Sequence, residues 1–277
     1  MKKIIAFWAI FALVGCQSYV EPEQTNNGSK EITFSVHHNY GTRASLQGDG
    51  GALTDLWIFD YLNGELAQRL HQSNTDENFG EPTLSLSYGE HHIYFVASRG
   101  SEPVLDTEAH TISFSLIRDT FWKDYALNVT STTSENRNVM LDRAVTRLRL
   151  VFDDEVPEGM ATLNVKIATW YSGINYLTGE PSNMEERNTD ISVPASYVGT
   201  SGQLVASIYG FSGATEWTSD VTITASSATD VLGTVTRQNV PFLRNRITQL
   251  HGNIFNSAGG LEIGLNTEWL ENYTDSW

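Results

Sequence analysis

Apolar residues along this chain come in short runs, many of them strictly alternating. Ile32, Phe34 and Val36 are each flanked by polar neighbours, as are Leu84 and Leu86. Alternation of this kind is the period of a half-buried strand. Residues 56–59 and 93–97 are apolar at consecutive positions, so both faces of the segments 56–62 and 92–97 are expected to be covered, as in central strands. Asn63-Gly64 separates residues 56–62 from a further run at 65–70. An Asn-Gly pair between two such runs predicts a tight hairpin, because both turn positions need a positive φ. Residues 111–116 form another strand, and 122–129 are read as one helical turn followed by a strand. A polar stretch at 130–138 marks the expected domain boundary.

Beyond it the pattern starts again. Leu148, Leu150 and Phe152 point one way, with Arg147 and Arg149 on the other face, and Leu163, Val165 and Ile167 repeat the arrangement. Residues 172–188 read as a long loop. Strands are predicted at 191–197, 203–211, 221–225, 231–240, 246–255 and, after Gly259-Gly260, at 261–270. Turn residues punctuate the runs roughly every 8–12 positions, the spacing of sandwiches and barrels. Each half holds about seven strands, so the fold class is all-β, with two tandem β-sandwich domains.

The N-terminus follows a different pattern. Lys2 and Lys3 precede an uncharged apolar run over residues 4–14. The run is shorter than the roughly 20 residues that span a bilayer, and fits the core of a secretory signal peptide. It ends in Leu13-Val14-Gly15-Cys16, which resembles the bacterial lipobox. That resemblance implies cleavage between Gly15 and Cys16, a covalent lipid on Cys16, and a surface-exposed address on the cell outer membrane, held there by the lipid anchor. Cys16 is the only cysteine, so no intramolecular disulfide can form. The expected layout is a signal peptide at 1–15, a flexible tether at 16–29, a first sandwich at 30–136 and a second at 137–277.

Loss of Lys2 and Lys3 with the leader takes the formal charge from −16 to −18. Such an excess of negative charge opposes binding to nucleic acid. No nucleophile elbow, phosphate loop or dinucleotide fingerprint is present in the sequence, so no enzyme, cofactor or metal centre is expected. His37-His38 and His91-His92 are neighbours on predicted strands, so the two rings of each pair face opposite ways and cannot share a metal. Asp153-Asp154-Glu155 reads as a solvated acidic turn. Trp122, Trp170, Tyr171, Tyr176 and Trp217 fall at strand ends or in loops, where rings pack at the rim or stack on a glycan.

Four segments carry a family resemblance. Residues 239–255 run Asn-Val-Pro-Phe-Leu-Arg-Asn-Arg-Ile-Thr-Gln-Leu-His-Gly-Asn-Ile-Phe. Residues 143–148, the hairpin at 56–66 and Gly41-Thr42-Arg43-Ala44 add to it. Together they resemble the fimbrillin superfamily of Bacteroidota, most closely its FimB-type minor anchor subunits. The resemblance implies two transthyretin-like sandwiches and assembly by β-strand exchange. It makes Arg43-Ala44 the place where a protease would cut a shaft subunit. It makes residues 261–277, with Leu261, Ile263, Leu265 and Trp269, the strand donated to a fimbrial shaft subunit. A carbohydrate-binding lipoprotein, or a shaft or tip subunit of the same superfamily, are the competing expectations.

Overall fold

The structure is a computed structural model that describes residues 28–40, 42–45, 53–99, 103–255 and 261–266. The described chain is built of strands, with a single 3₁₀ turn at Ala195–Tyr197. In chain order the first ten strands are β1 (Ser29–Tyr40), β2 (Thr42–Ser45), β3 (Asp55–Leu62), β4 (Glu65–Ser73), β5 (Thr83–Ser87), β6 (Gly89–Ser98), β7 (Pro103–Asp106), β8 (Thr111–Phe114), β9 (Thr120–Val129) and β10 (Asn136–Arg143). Eight of them, all but β7 and β8, form one hydrogen-bonded ribbon in the order β2-β1-β10-β9-β6-β3-β4, with β5 also on β1. The ribbon changes direction at β10. Its residues 136–141 run parallel to β1, and Asp142 and Arg143 then pair with Trp122 and Phe121 of β9. A strand that changes partners in this way makes the corner of a sandwich.

The inner faces close over Ile32, Phe34, Leu56, Ile58, Leu84, Leu86, Ile93, Phe95, Phe121, Val139 and Leu141, all buried. The hairpin predicted at Asn63-Gly64 is present, with φ of 52° and 88°. Nothing lies within 4 Å of a Cβ added at Gly64. Gly64→Ala is therefore expected to cost only the left-handed backbone penalty of about 1–2 kcal/mol, read by urea unfolding. Gly64→Asn should recover most of that loss.

The second body continues with β11 (Val145–Phe152), β12 (Thr162–Asn175), β13 (Pro181–Ser192), β14 (Val205–Phe211), β15 (Trp217–Ser226), β16 (Val231–Phe242), β17 (Ile247–Gly252) and β18 (Leu261–Asn266). One sheet has the order β14-β11-β17-β18. The other runs β16-β15-β12-β8-β7, with β13 also paired to β12. Leu148, Leu150 and Phe152 from the first sheet meet Leu163, Val165, Ile167, Val221 and Ile223 from the second.

Several expectations are corrected here. Residues 122–129 hold no helical turn: all of Thr120–Val129 is strand. The stretch 172–188 is no loop, because it contains the end of β12 and most of β13. Two elements also cross the boundary drawn between 136 and 137. β10 belongs with the first body, where Val139 and Leu141 fill its core. The β7–β8 hairpin leaves the first body's part of the sequence and pairs with the end of β12, Gly173 opposite Ser113 and Asn175 opposite Thr111. The chain thus passes between the bodies three times, which ties them together more firmly than one linker would.

Candidate assembly surfaces

The N-terminal strand sits inside its sheet. β1 has β10 on one side, and β5 and β2 on the other. Between the last two, Phe34 N donates to Pro82 O and Val36 N to Gly80 O. Ile32, Phe34 and Val36 are at most 1% exposed, and the Phe34 ring lies 5.5 Å from that of Phe95 and 5.8 Å from that of Tyr125. Each such side chain contributes about 1.5–3 kcal/mol by its burial. Drawing β1 out would expose this row and leave two lines of backbone groups unpaired.

Arg43 and Ala44 lie in β2, their backbones opposite Asn39 and His38 of β1. Cleavage there needs local opening, since proteases cut most readily at exposed, unpaired loop tips. Leu261, Ile263 and Leu265 lie in β18, antiparallel to β17 from Gly252–Leu261 to Ile247–Asn266. β18 is the outermost strand of its sheet and has β17 as its sole strand partner among the described residues. Gly15, Cys16 and Trp269 lie outside the described residues.

A second surface joins the two bodies, and it explains the two-faced strands. Leu56 and Ile58 of β3 point into the first core, while Phe59 and Tyr61 point out of it, onto the second body. Phe59 stacks on Tyr176 with ring centroids 4.0 Å apart. Tyr61 Oη lies 3.1 Å from His110 Nδ1 and 3.2 Å from Tyr176 Oη. Burial first, then the hydrogen bond with Tyr61, pushes the Tyr176 phenol well above its usual range, so Tyr176 stays uncharged. Trp122 Nε1 donates to Tyr176 O at 2.7 Å, and its ring lies where a Cβ at Gly179 would be.

Arg143 closes the junction where β10 passes into β11. Its Nε and Nη2 donate to the two carboxylate oxygens of Asp119 at 2.6 and 2.8 Å, and its Nη1 donates to Asn245 Oδ1 at 3.1 Å. The guanidinium also lies 5.0 Å from the centre of the Phe121 ring. Asn245 holds a φ of 56° in the turn between β16 and β17. Arg244 donates to the carbonyls of Ser212 and Gly179. Burial lowers its pKa, opposed by the charges of Glu180 and Asp142. A cleft of about 270 Å³ opens here, lined by Asp142, Arg143, Ala214, Leu243, Arg244 and Asn245.

The remaining sequence candidates have structural roles. Asp154, expected in a solvated turn, is buried, and its Oδ2 accepts from Ile254 N and Phe255 N. Trp170 and Tyr176 are fully buried. Trp217 packs on Phe242 at 4.7 Å and donates to Ser212 Oγ. These rings form walls of the core and the junction, and the buried Trp170 and Tyr176 present no face for stacking on sugar. Among the described residues no group of three or more His, Cys, Asp or Glu could hold a metal, and no helix is long and apolar enough to cross a membrane. Sequence reasoning missed the Arg143–Asp119 clamp. The one available signal was Arg143 standing at the start of an apolar strand.

These features define an all-β protein of two packed sandwiches whose open chemistry is backbone pairing at sheet edges. The chain belongs to the family of unknown function DUF6562, whose sequence profile matches residues 104–276. The match opens within β7, so it takes in the hairpin that joins the second body. No curated protein matches the chain. Among solved structures, a candidate adhesin from Bacteroides ovatus is similar over 87% of this chain and 95% of its own, at 13% identity and a TM-score of 0.55. A candidate polysaccharide-binding protein from Bacteroides thetaiotaomicron covers 87% of this chain and 99% of its own, at 7% identity and a TM-score of 0.55. A candidate adhesin from the same species covers 89% and 100%, at 10% identity and a TM-score of 0.51. At these identities the likeness is one of fold.

Proposed function

We propose that this protein is a lipid-anchored surface subunit of a fimbria, its minor anchor, which joins the shaft by strand donation. The observation that carries this reading is the unequal seating of the two terminal strands. β1 is held on both edges and buried, whereas among the described residues β18 is held on one edge only. An anchor must keep its own N-terminal strand, because that strand leads back to the lipid on Cys16. The strand it can give away is the last one. β18 supplies six residues of backbone pairing, and pairing of this kind gives main-chain affinity with side-chain specificity. The fold shared with candidate adhesins supports the same reading, as does the lipobox.

Two experiments test it. Deletion of residues 261–277 should leave a folded, membrane-attached protein that no longer retains fimbriae on the cell; retention at the normal level would rule out donation by this strand. Mass spectrometry of the mature protein should find an acylated Cys16. A mature N-terminus at Ala44 would instead identify a cleaved, polymerising shaft or tip subunit. The carbohydrate-binding reading loses Trp170 and Tyr176, which are fully buried, and keeps only the partly buried Trp122, Tyr171 and Trp217.

A further inference from the structure

At the rim of the first core, two ionisable side chains are buried as deeply as the apolar ones around them. His91 on β6 is 2% exposed and Asp60 on β3 is 1% exposed. His91 Nδ1 lies 2.6 Å from Asp60 Oδ1, and His91 Nε2 lies 2.8 Å from the carbonyl oxygen of Ser87. A neutral imidazole has one N–H and one lone pair. A backbone carbonyl has no hydrogen to give, and neither does a carboxylate. A neutral ring would therefore hold a lone pair against an acceptor oxygen in a site closed to water. A doubly protonated ring donates to both. The proton belongs on the ring, because imidazole is a stronger base than a carboxylate by roughly 2–3 pH units.

The surrounding strands complete the arrangement. From β4, Gln68 Nε2 donates to Asp60 Oδ2 and to Ser85 O, both at 3.0 Å. From β9, the residue opposite His91 is Leu127, which is uncharged. Lys30, the cation of β1, points its Nζ to Ser131 O and Glu135. Asp60 is thus the charge that His91 meets. Ser85 and Ser87 both belong to β5, and β5 pairs with β1 from Ser29–Ser87 to Thr33–Thr83.

We infer that His91 is an imidazolium in the folded protein and serves as a pH-operated latch, holding β5, and through it the N-terminal strand β1, against β3, β4 and β6. The latch stands on this geometry and not on the fimbrial reading. Burial by itself lowers the pKa of the ring, but the hydrogen bonds to Asp60 and Ser87 and the charge of Asp60 outweigh it and raise the pKa above 6.5. The sign follows from that direction. With the folded value raised, the stabilisation is complete below pH 6.5. It weakens up to tenfold in the opening equilibrium for each pH unit between 6.5 and the folded pKa, and it is absent above that value.

Nitrogen NMR of the His91 ring in the folded wild-type chain is the direct test. Both ring nitrogens should be protonated at pH 6, and both should stay so until the transition at higher pH. A neutral ring at pH 6 would overturn the proposal. Amide hydrogen exchange of residues 84–86 and 30–32, corrected for intrinsic rates, gives the functional readout. Opening of these two strands should rise by up to tenfold per pH unit across the transition, while β17 amides stay protected. In His91→Gln that pH dependence should disappear. If His91→Gln retains it, His91 is not the latch; if the variant fails to fold, the wild-type ring titration and exchange profile still decide.

Discussion

Trp170→Ala is expected to be the most damaging single substitution in the second body, with a loss of about 3–5 kcal/mol. Trp170 is fully buried beside a register shift in the β12–β13 pairing, and its ring fills the end of the sandwich. It meets Phe242 edge-on at 5.0 Å and Trp217 at 5.7 Å, and its Nε1 donates to Tyr209 O at 3.1 Å. On the far side it lies against Gly210, where any Cβ would collide with the ring. The cavity left by alanine has stiff aromatic walls and strand backbone around it, so it cannot collapse. For a chain of this size the midpoint of thermal unfolding should fall by roughly 10 °C. Trp170→Phe keeps a ring and loses the N–H donor, so it should cost only about 1–2 kcal/mol. Calorimetry and urea unfolding check both values; a loss below about 1 kcal/mol for alanine would show that the ring is not a keystone.

Arg143→Met should cost about 3 kcal/mol, because it leaves the Asp119 carboxylate without its bidentate partner beside a closed junction. Arg143 is nearly fully buried, while the Asp119 side chain is 18% exposed. Asp119→Asn should cost at least as much, since it leaves the guanidinium, the more deeply buried of the two charges, without its counter-ion, and the amide can still accept only one of the two bonds. A double-mutant cycle should give a coupling energy above about 1 kcal/mol. The substitution should also loosen the contact between the bodies, which small-angle scattering would record as a larger radius of gyration. Additive effects in the cycle would mean that Arg143 acts by packing on Phe121 and not through the ion pair.

Much of the strand pattern was legible in the sequence, and the failures share a cause. β13 was read as loop because its residues Asn183, Glu185, Glu186, Asn188 and Asp190 show no buried row. Of its side chains only Ile191, near its end, is an apolar one packed on the core, and the hydrogen bonds to β12 make the rest a strand. The start of β9 imitated a helical turn because Phe121 and Trp122 are apolar at consecutive positions. Phe121 enters the first core and Trp122 caps the junction, so each face of that strand has its own apolar neighbour. His91 and His92 were placed correctly on opposite faces. That one of them would find Asp60, on a different strand, was invisible. The same holds for the lock at Arg143, whose partners Asp119 and Asn245 lie 24 and 102 residues away.

Alternation along the chain by itself determined the all-β class, the hairpin at Asn63-Gly64 and the rows of side chains that enter each core. It did so because a strand's period is a local property, set by the pleat. Only the tertiary structure decided which strands pair. It placed β10 beside β1, sent the β7–β8 hairpin to the second body, closed His91 onto Asp60, and left β18 with one neighbour among the described residues. Those choices depend on backbone hydrogen bonds and on the fit of one face to another across long stretches of chain. A residue's own neighbours in sequence carry almost no record of either.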